Sequence, residues 1–167
     1  MEPWHKLDLA GAEEARQLLT TCCGSSQWVE SMMERRPFGS PDGLDVAAHE
    51  SWLALEPDDW REAFANHPKI GDRDALRTRF AATRALSERE QSGVDTAADA
   101  VLDELADGNR RYEERFGFIF IVCATGKSAE EMLGILRSRL DNDPARELVI
   151  AASEQAKITA IRLASLA

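Results

Sequence analysis

The sequence predicts an all-α fold, and three observations carry that prediction. Apolar residues recur at spacings of three and four along most of the chain, and glycine–proline turn clusters are sparse and widely separated. Aromatics make up only 7 % of residues while alanine and leucine are abundant, a composition that favours helices. The expectation is a compact single domain, residues 1–167, an array of about eight helices with one buried extended segment. A chain of 167 residues can bury about 70 % of its unfolded surface around one core.

The first periodic stretch is 11–23, where Ala12, Ala15, Leu18, Leu19 and Cys22 share a stripe and Gly24-Ser25-Ser26 breaks it. Ser25 or Ser26 can cap the next helix, whose apolar face is Trp28, Val29, Met32 and Met33. Pro37-Phe38-Gly39-Ser40-Pro41-Asp42-Gly43 reads as a loop, followed by a helix over about 44–54. Pro57-Asp58-Asp59 opens another helix, carrying Trp60 and Phe64, and Pro68 sets its end because the residue before proline leaves the α region. Asp72 or Asp74 starts a basic helix running through Phe80, and a short helix begins near Ser87 and closes at Gly93. Leu102, Leu105, Asn109, Tyr112 and Phe116 mark a long buried helical face. The strand-like run Phe118-Ile119-Phe120-Ile121-Val122-Cys123-Ala124 has no partner strand in the sequence, so it reads as buried extended chain between helices. Helices over 128–140 and from 144 to about 166 complete the chain.

Charge and composition exclude several classes of partner. Thirty acidic against twenty basic residues give a formal charge of −10, opposite to what phosphate or anionic lipid attracts, and no Lys/Arg block stands out. Neither nucleic acid nor a membrane is therefore an expected partner. The start, Met1-Glu2-Pro3-Trp4-His5-Lys6-Leu7-Asp8, has no apolar signal core, and the longest apolar run, 118–124, is too short to span a bilayer. Three cysteines, with Cys22 beside Cys23 and Cys123 distant, form neither CxxC nor a His-spaced metal pattern. No metal site is expected, and a reduced, cytoplasmic compartment is the simplest inference. The C-terminal Ala164-Ser165-Leu166-Ala167 is not the peroxisomal Ser-Lys-Leu address.

Three places invite chemistry, each with a plainer reading beside it. His67 lies at a helix end in Asn66-His67-Pro68-Lys69-Ile70-Gly71-Asp72, a stiff mount for an acid or base. It can equally cap the last carbonyls, the simpler reading on residue type alone. Ser87-Glu88-Arg89-Glu90-Gln91 contains Ser-x-x-Glu, a capping box, yet Ser87, Glu90 and Gln91 also offer hydroxyl, carboxylate and amide on one helical face. The capping box is again the simpler reading. Arg162 projects with Leu148, Ala151, Gln155 and Ile158 from the side expected to face the core. Its guanidinium either meets a ligand there or snorkels out near the C-terminus. Gly126-Lys127-Ser128 after the strand-like run imitates a phosphate-binding loop, but Ile121 stands where that motif needs glycine.

Taken together these pieces resemble one family, the 2-oxo-4-hydroxy-4-carboxy-5-ureidoimidazoline (OHCU) decarboxylases. The resemblance runs over about 7–166. It rests on His67-Pro68 with Gly71, on Ser87-Glu88-Arg89-Glu90-Gln91-Ser92-Gly93, on Tyr112-x-x-x-Phe116-Gly117-Phe118-x-Phe120-Ile121, and on Lys157-Ile158 leading to Arg162-Leu163. One departure is Ile119, where many members carry proline. The resemblance implies an all-α, homodimeric enzyme without metal or organic cofactor. It further implies that OHCU is decarboxylated to (S)-allantoin in urate degradation. His67 would be the catalytic acid/base, with Glu90 and Arg162 completing the catalytic set. Substrate contacts would come from Pro68, Ser87, Glu88, Arg89, Glu90, Gln91, Phe120, Ile121, Val122, Cys123, Ala124 and Arg162. The rival reading is a helical protein–protein interaction module, which explains the acidic surface but not the combination of His67, Glu90 and Arg162.

Overall fold

A computed structural model describes residues 1–67 and 93–167, with side chains described from 99 onward in the second stretch. The fold is all-α, and among the described residues there are eight helices and no strand. They are α1 (Pro3–Leu9), α2 (Ala12–Cys22), α3 (Ser26–Glu34), α4 (Pro41–Leu53), α5 (Pro57–Ala65), α6 (Gly93–Phe116), α7 (Ala129–Leu140) and α8 (Pro144–Ala164). The helices expected over 72–80 and from Ser87 lie outside the described residues. The chain divides into two compact units, one of residues 1–67, 121–123 and 148–167, the other of 68–120 and 124–147. No described helix is long and apolar enough to cross a membrane.

In the first unit, helix starts follow local chemistry. The Ser25 hydroxyl accepts from the Trp28 amide at 3.3 Å and caps α3, while Ser26 donates from backbone and side chain to Glu62 on α5, at 2.7 and 2.9 Å. Two elements differ from the sequence reading. α1 was not expected: only Leu7 of its seven residues is buried, too little for a periodic signal. α4 begins at Pro41 rather than Leu44, because Ser40 accepts from the Gly43 amide at 2.9 Å and Pro41 sits in the first turn. Proline is favoured there, since its missing N–H would have been an orphan anyway.

The core of this unit is made by Leu7, Ala15, Leu19, Cys22, Trp28, Met32, Trp52 and Phe64. Trp28 and Trp52 are buried and Trp60 is half-buried, and all three satisfy their indole N–H groups. Trp28 donates to the Ala48 carbonyl at 3.1 Å, Trp52 to Ala152 at 2.9 Å and Trp60 to Trp52 at 3.0 Å. The Trp52 bond ties α4 to α8 across a hundred residues of sequence.

The second unit packs α6 against α7. Leu102, Leu105 and Tyr112 are buried on α6 as expected, with Gly108 rather than Asn109 completing the stripe. α6 is described from Gly93 onward, and the short helix expected from Ser87 to Gly93 falls on residues outside the described ones. α6 ends at Gly117, whose amide returns to Glu113 O at 2.9 Å with φ +81°, a left-handed conformation open to glycine. Ser128 caps α7 as expected, accepting from the Glu131 amide at 3.2 Å.

The second unit also holds a buried charged cluster. Glu147 accepts from Arg139 Nε at 2.6 Å, from the Tyr112 hydroxyl at 2.5 Å and from Asn142 at 3.0 Å. The Arg139 guanidinium also lies over the Phe120 ring, 4.7 Å from its centroid. Burial, followed by the bond to Glu147, raises the Tyr112 phenol far above its ordinary value. A lone carboxylate could not survive in that environment; the paired Arg139 cation and the Tyr112 and Asn142 donors hold it.

Candidate active site

α5 delivers His67 to a defined place. Its start is fixed by a capping box between Glu56 and Asp59, with Pro57 in the first turn. Its end is fixed by the Asn66 amide returning to Glu62 O at 3.2 Å and the His67 amide to Phe64 O at 3.2 Å. Asn66 is itself anchored, donating from Nδ2 to the Gly24 carbonyl at 2.7 Å. Gly24 is required for that approach, because a Cβ there would stand 2.5 Å from Asn66 Cβ. The residue before the histidine is thus clamped against the turn between α2 and α3.

His67 is half-buried, and its Nε2 is hydrogen-bonded to Gln155 Oε1 on α8. Gln155 Nε2 donates to Thr159 Oγ1, one turn along, at 3.1 Å. Thr159 and the Ser25 backbone lie near enough to the Cys23 thiol to oppose the effect of its burial. Gln155, Thr159 and Cys23 are 1 %, 5 % and 0 % exposed, so these groups are shielded from water. Burial pushes the Cys23 thiol up to about 11, and burial also raises Cys22. Both cysteines are therefore neutral thiols, poor nucleophiles near neutral pH.

Arg162 stands half-buried in the last turn of α8, close enough for its charge to act on both thiols. Among the described residues no hydrogen bond or ion pair holds its guanidinium.

The segment after α6 is neither helix nor strand, and Ile121, Val122 and Cys123 are buried. The Cys123 amide donates to Glu154 Oε1 on α8 at 3.2 Å, so that N–H is already committed within the protein. His67, Ile121, Val122, Cys123 and Arg162 all belong to the first unit; Phe120 and Ala124 belong to the second. Pro68, Ser87, Glu88, Arg89, Glu90 and Gln91 lie outside the described residues. Among those described, no group of three His, Cys, Asp or Glu side chains could hold a metal ion.

Sequence reasoning did not find Gln155, Thr159, Cys23 or Glu154 as parts of this site. The one available signal was a glutamine on the core-facing stripe of a helix, a place where an amide must find partners. Its partner is 88 positions away, beyond the reach of any local pattern.

Comparison with known proteins agrees with this architecture. The family model described as OHCU decarboxylase matches residues 9–164. A uric acid degradation bifunctional protein of Arabidopsis thaliana is 42 % identical over 147 residues, which are 87 % of this chain but 45 % of that protein. The chain thus spans less than half of that relative's length. An OHCU decarboxylase of Amia calva is 34 % identical over 131 residues, covering 77 % of this chain and 73 % of that one. The crystal structure of an OHCU decarboxylase in the presence of (S)-allantoin superposes with a TM-score of 0.71 at 36 % identity, over 94 % of this chain and 98 % of that one. This chain belongs to the OHCU decarboxylase family.

Proposed function

We propose that the chain decarboxylates OHCU to (S)-allantoin without metal or organic cofactor, with His67 as acid/base. It is a carboxy-lyase of urate degradation. The observation that supports the residue roles is the bond from Gln155 on α8 to the His67 ring, with Gln155 itself held by Thr159.

The chemistry explains why few groups suffice. The carbon that loses CO₂ adjoins a conjugated C=N. When the carbon–carboxylate bond breaks, CO₂ departs and its electron pair passes into that system, whose ring nitrogen takes a proton from solvent; the hydroxyl then gives up its proton to become the carbonyl as a proton is added at the ring carbon bearing the ureido group. The substrate is its own electron sink. The protein must orient it, disperse developing charge and confine protonation to one face. His67 takes up the substrate hydroxyl proton and governs the proton that completes the product. Glu90 accepts from ureido or ring N–H groups, with Ser87 and Gln91 as neutral partners and Pro68, Glu88 and Arg89 lining the same side. The backbone of Phe120, Ile121, Val122 and Ala124 contributes further contacts, the Cys123 amide being taken by Glu154. Arg162 holds a ring or ureido carbonyl. Gripping the departing carboxylate would stabilise the ground state and slow its loss.

The same reading treats residues 1–167 as one family domain, supported by a match that crosses both compact units. It also takes the enzyme as a cytoplasmic homodimer, a compartment that suits three buried cysteines with no disulfide between them. The test is direct: purified protein is added to freshly generated OHCU and the optical activity of the product is followed. Rapid formation of (S)-allantoin is expected. Racemic product appearing at the uncatalysed rate would end the proposal.

A further inference from the structure

We infer that Gln155 is a positioning residue which holds His67 in the Nε2–H tautomer, placing the basic lone pair on Nδ1. The inference rests on His67 being the acid/base, and its logic lies in the direction of the buried bonds. Gln155 Nε2 donates to Thr159 Oγ1, one turn along α8, at 3.1 Å; an amide nitrogen has hydrogens to give and no lone pair to offer. The amide cannot also turn its nitrogen to the imidazole, so Gln155 Oε1 faces His67 Nε2. A carbonyl oxygen has nothing to donate, and Nε2 must therefore carry the hydrogen.

Turning the amide over would withdraw the N–H from Thr159 Oγ1 and set it against the imidazole nitrogen. With Gln155 and Thr159 both sealed from water, no solvent molecule compensates for the lost bond. Gln155 also differs usefully from a carboxylate in the same place. It orients the ring without adding a negative charge that would trap the imidazolium, so the proton taken up on Nδ1 is readily returned.

The tautomer is read by long-range ¹H–¹⁵N correlation on ¹⁵N-histidine-labelled protein. Three histidines are present, and His67→Asn assigns the signals. Wild type is expected to show Nε2 protonated and Nδ1 unprotonated. Gln155→Met, which fills the space but accepts no comparable bond, should lose that signature. Its kcat should fall about 10–100-fold, as when other orienting partners are removed, with KM little changed. Thr159→Val removes the anchor at constant volume and should give a tautomer mixture with a smaller loss; it decides the matter should Gln155→Met fail to fold. A wild-type Nδ1–H tautomer, a signature that survives both substitutions, or an unchanged kcat in a Gln155→Met protein that has lost it would overturn the inference. Failure of the catalytic reading looks different: His67→Asn would keep its rate, whatever tautomer the spectra record.

Discussion

Glu147→Gln probes the buried cluster of the second unit with almost no change of shape. Glu147 is fully buried and Arg139 is 5 % exposed, so the substitution leaves a guanidinium out of water without its carboxylate. Breaking one side of such a pair costs about 3–5 kcal/mol, a large part of the roughly 5–15 kcal/mol that holds a domain folded. At about 2–4 °C per kcal/mol for a chain of this size, the melting temperature should drop by roughly 6–20 °C. The double substitution Arg139→Met with Glu147→Met removes both charges and should recover most of the loss. The remainder, about 1–3 kcal/mol, belongs to the Tyr112 hydroxyl left without its acceptor. Urea and thermal unfolding of the single and double variants complete the cycle. A loss below about 1 kcal/mol in Glu147→Gln, or a double variant no better than the worse single one, would refute the account of this cluster.

Three further outcomes follow from the same structure. Gly24→Ala would press a methyl group to 2.5 Å from Asn66 Cβ, so stability should fall by about 1–3 kcal/mol; because Asn66 precedes His67, activity measured well below the new melting point should fall too. Burial pushes Cys23 from 9.0 up to about 11, and burial with the Glu147 bond raises Tyr112 from 10.0. The folded state holds both neutral, so their stabilisation is complete below pH 9 and is lost as pH rises through the folded values. Melting temperature should therefore decline between about pH 9 and 11, less steeply in Cys23→Ala, and a flat profile in wild type would contradict the assignment. Dialysis against chelator should leave turnover unchanged; activity that vanishes and returns only with a divalent metal would defeat the cofactor-free reading.

What could be read from the chain follows from where its information is local. Leu102, Leu105 and Tyr112 announce α6 because helical spacing is a short-range pattern. Ser128 announces α7 and Pro57 announces α5 because caps act over three or four residues. α1 was illegible because one buried leucine makes no period, and α4 was started late because Ser40-Pro41-Asp42-Gly43 serves a turn and a helix N-terminus equally well. His67 and Arg162 stood out by context, whereas the bond from His67 to Gln155 joins α5's end to α8 and exists only after folding. The same holds for Tyr112 and Arg139 converging on Glu147. Each was one polar residue on an apolar helix face, and no local pattern names the partner.

The claim that His67 does the chemistry is tested most directly by the initial enantiomeric excess and rate of allantoin formation from fresh OHCU, comparing wild type with His67→Asn. Total product is a poor readout because OHCU also decays spontaneously to racemic allantoin. Asparagine keeps a polar side chain of similar reach but cannot exchange a proton near neutral pH. The account predicts a rate lower by about 10²–10⁴-fold in a protein whose melting temperature is nearly unchanged. A folded His67→Asn protein that still makes (S)-allantoin at the wild-type rate would contradict it.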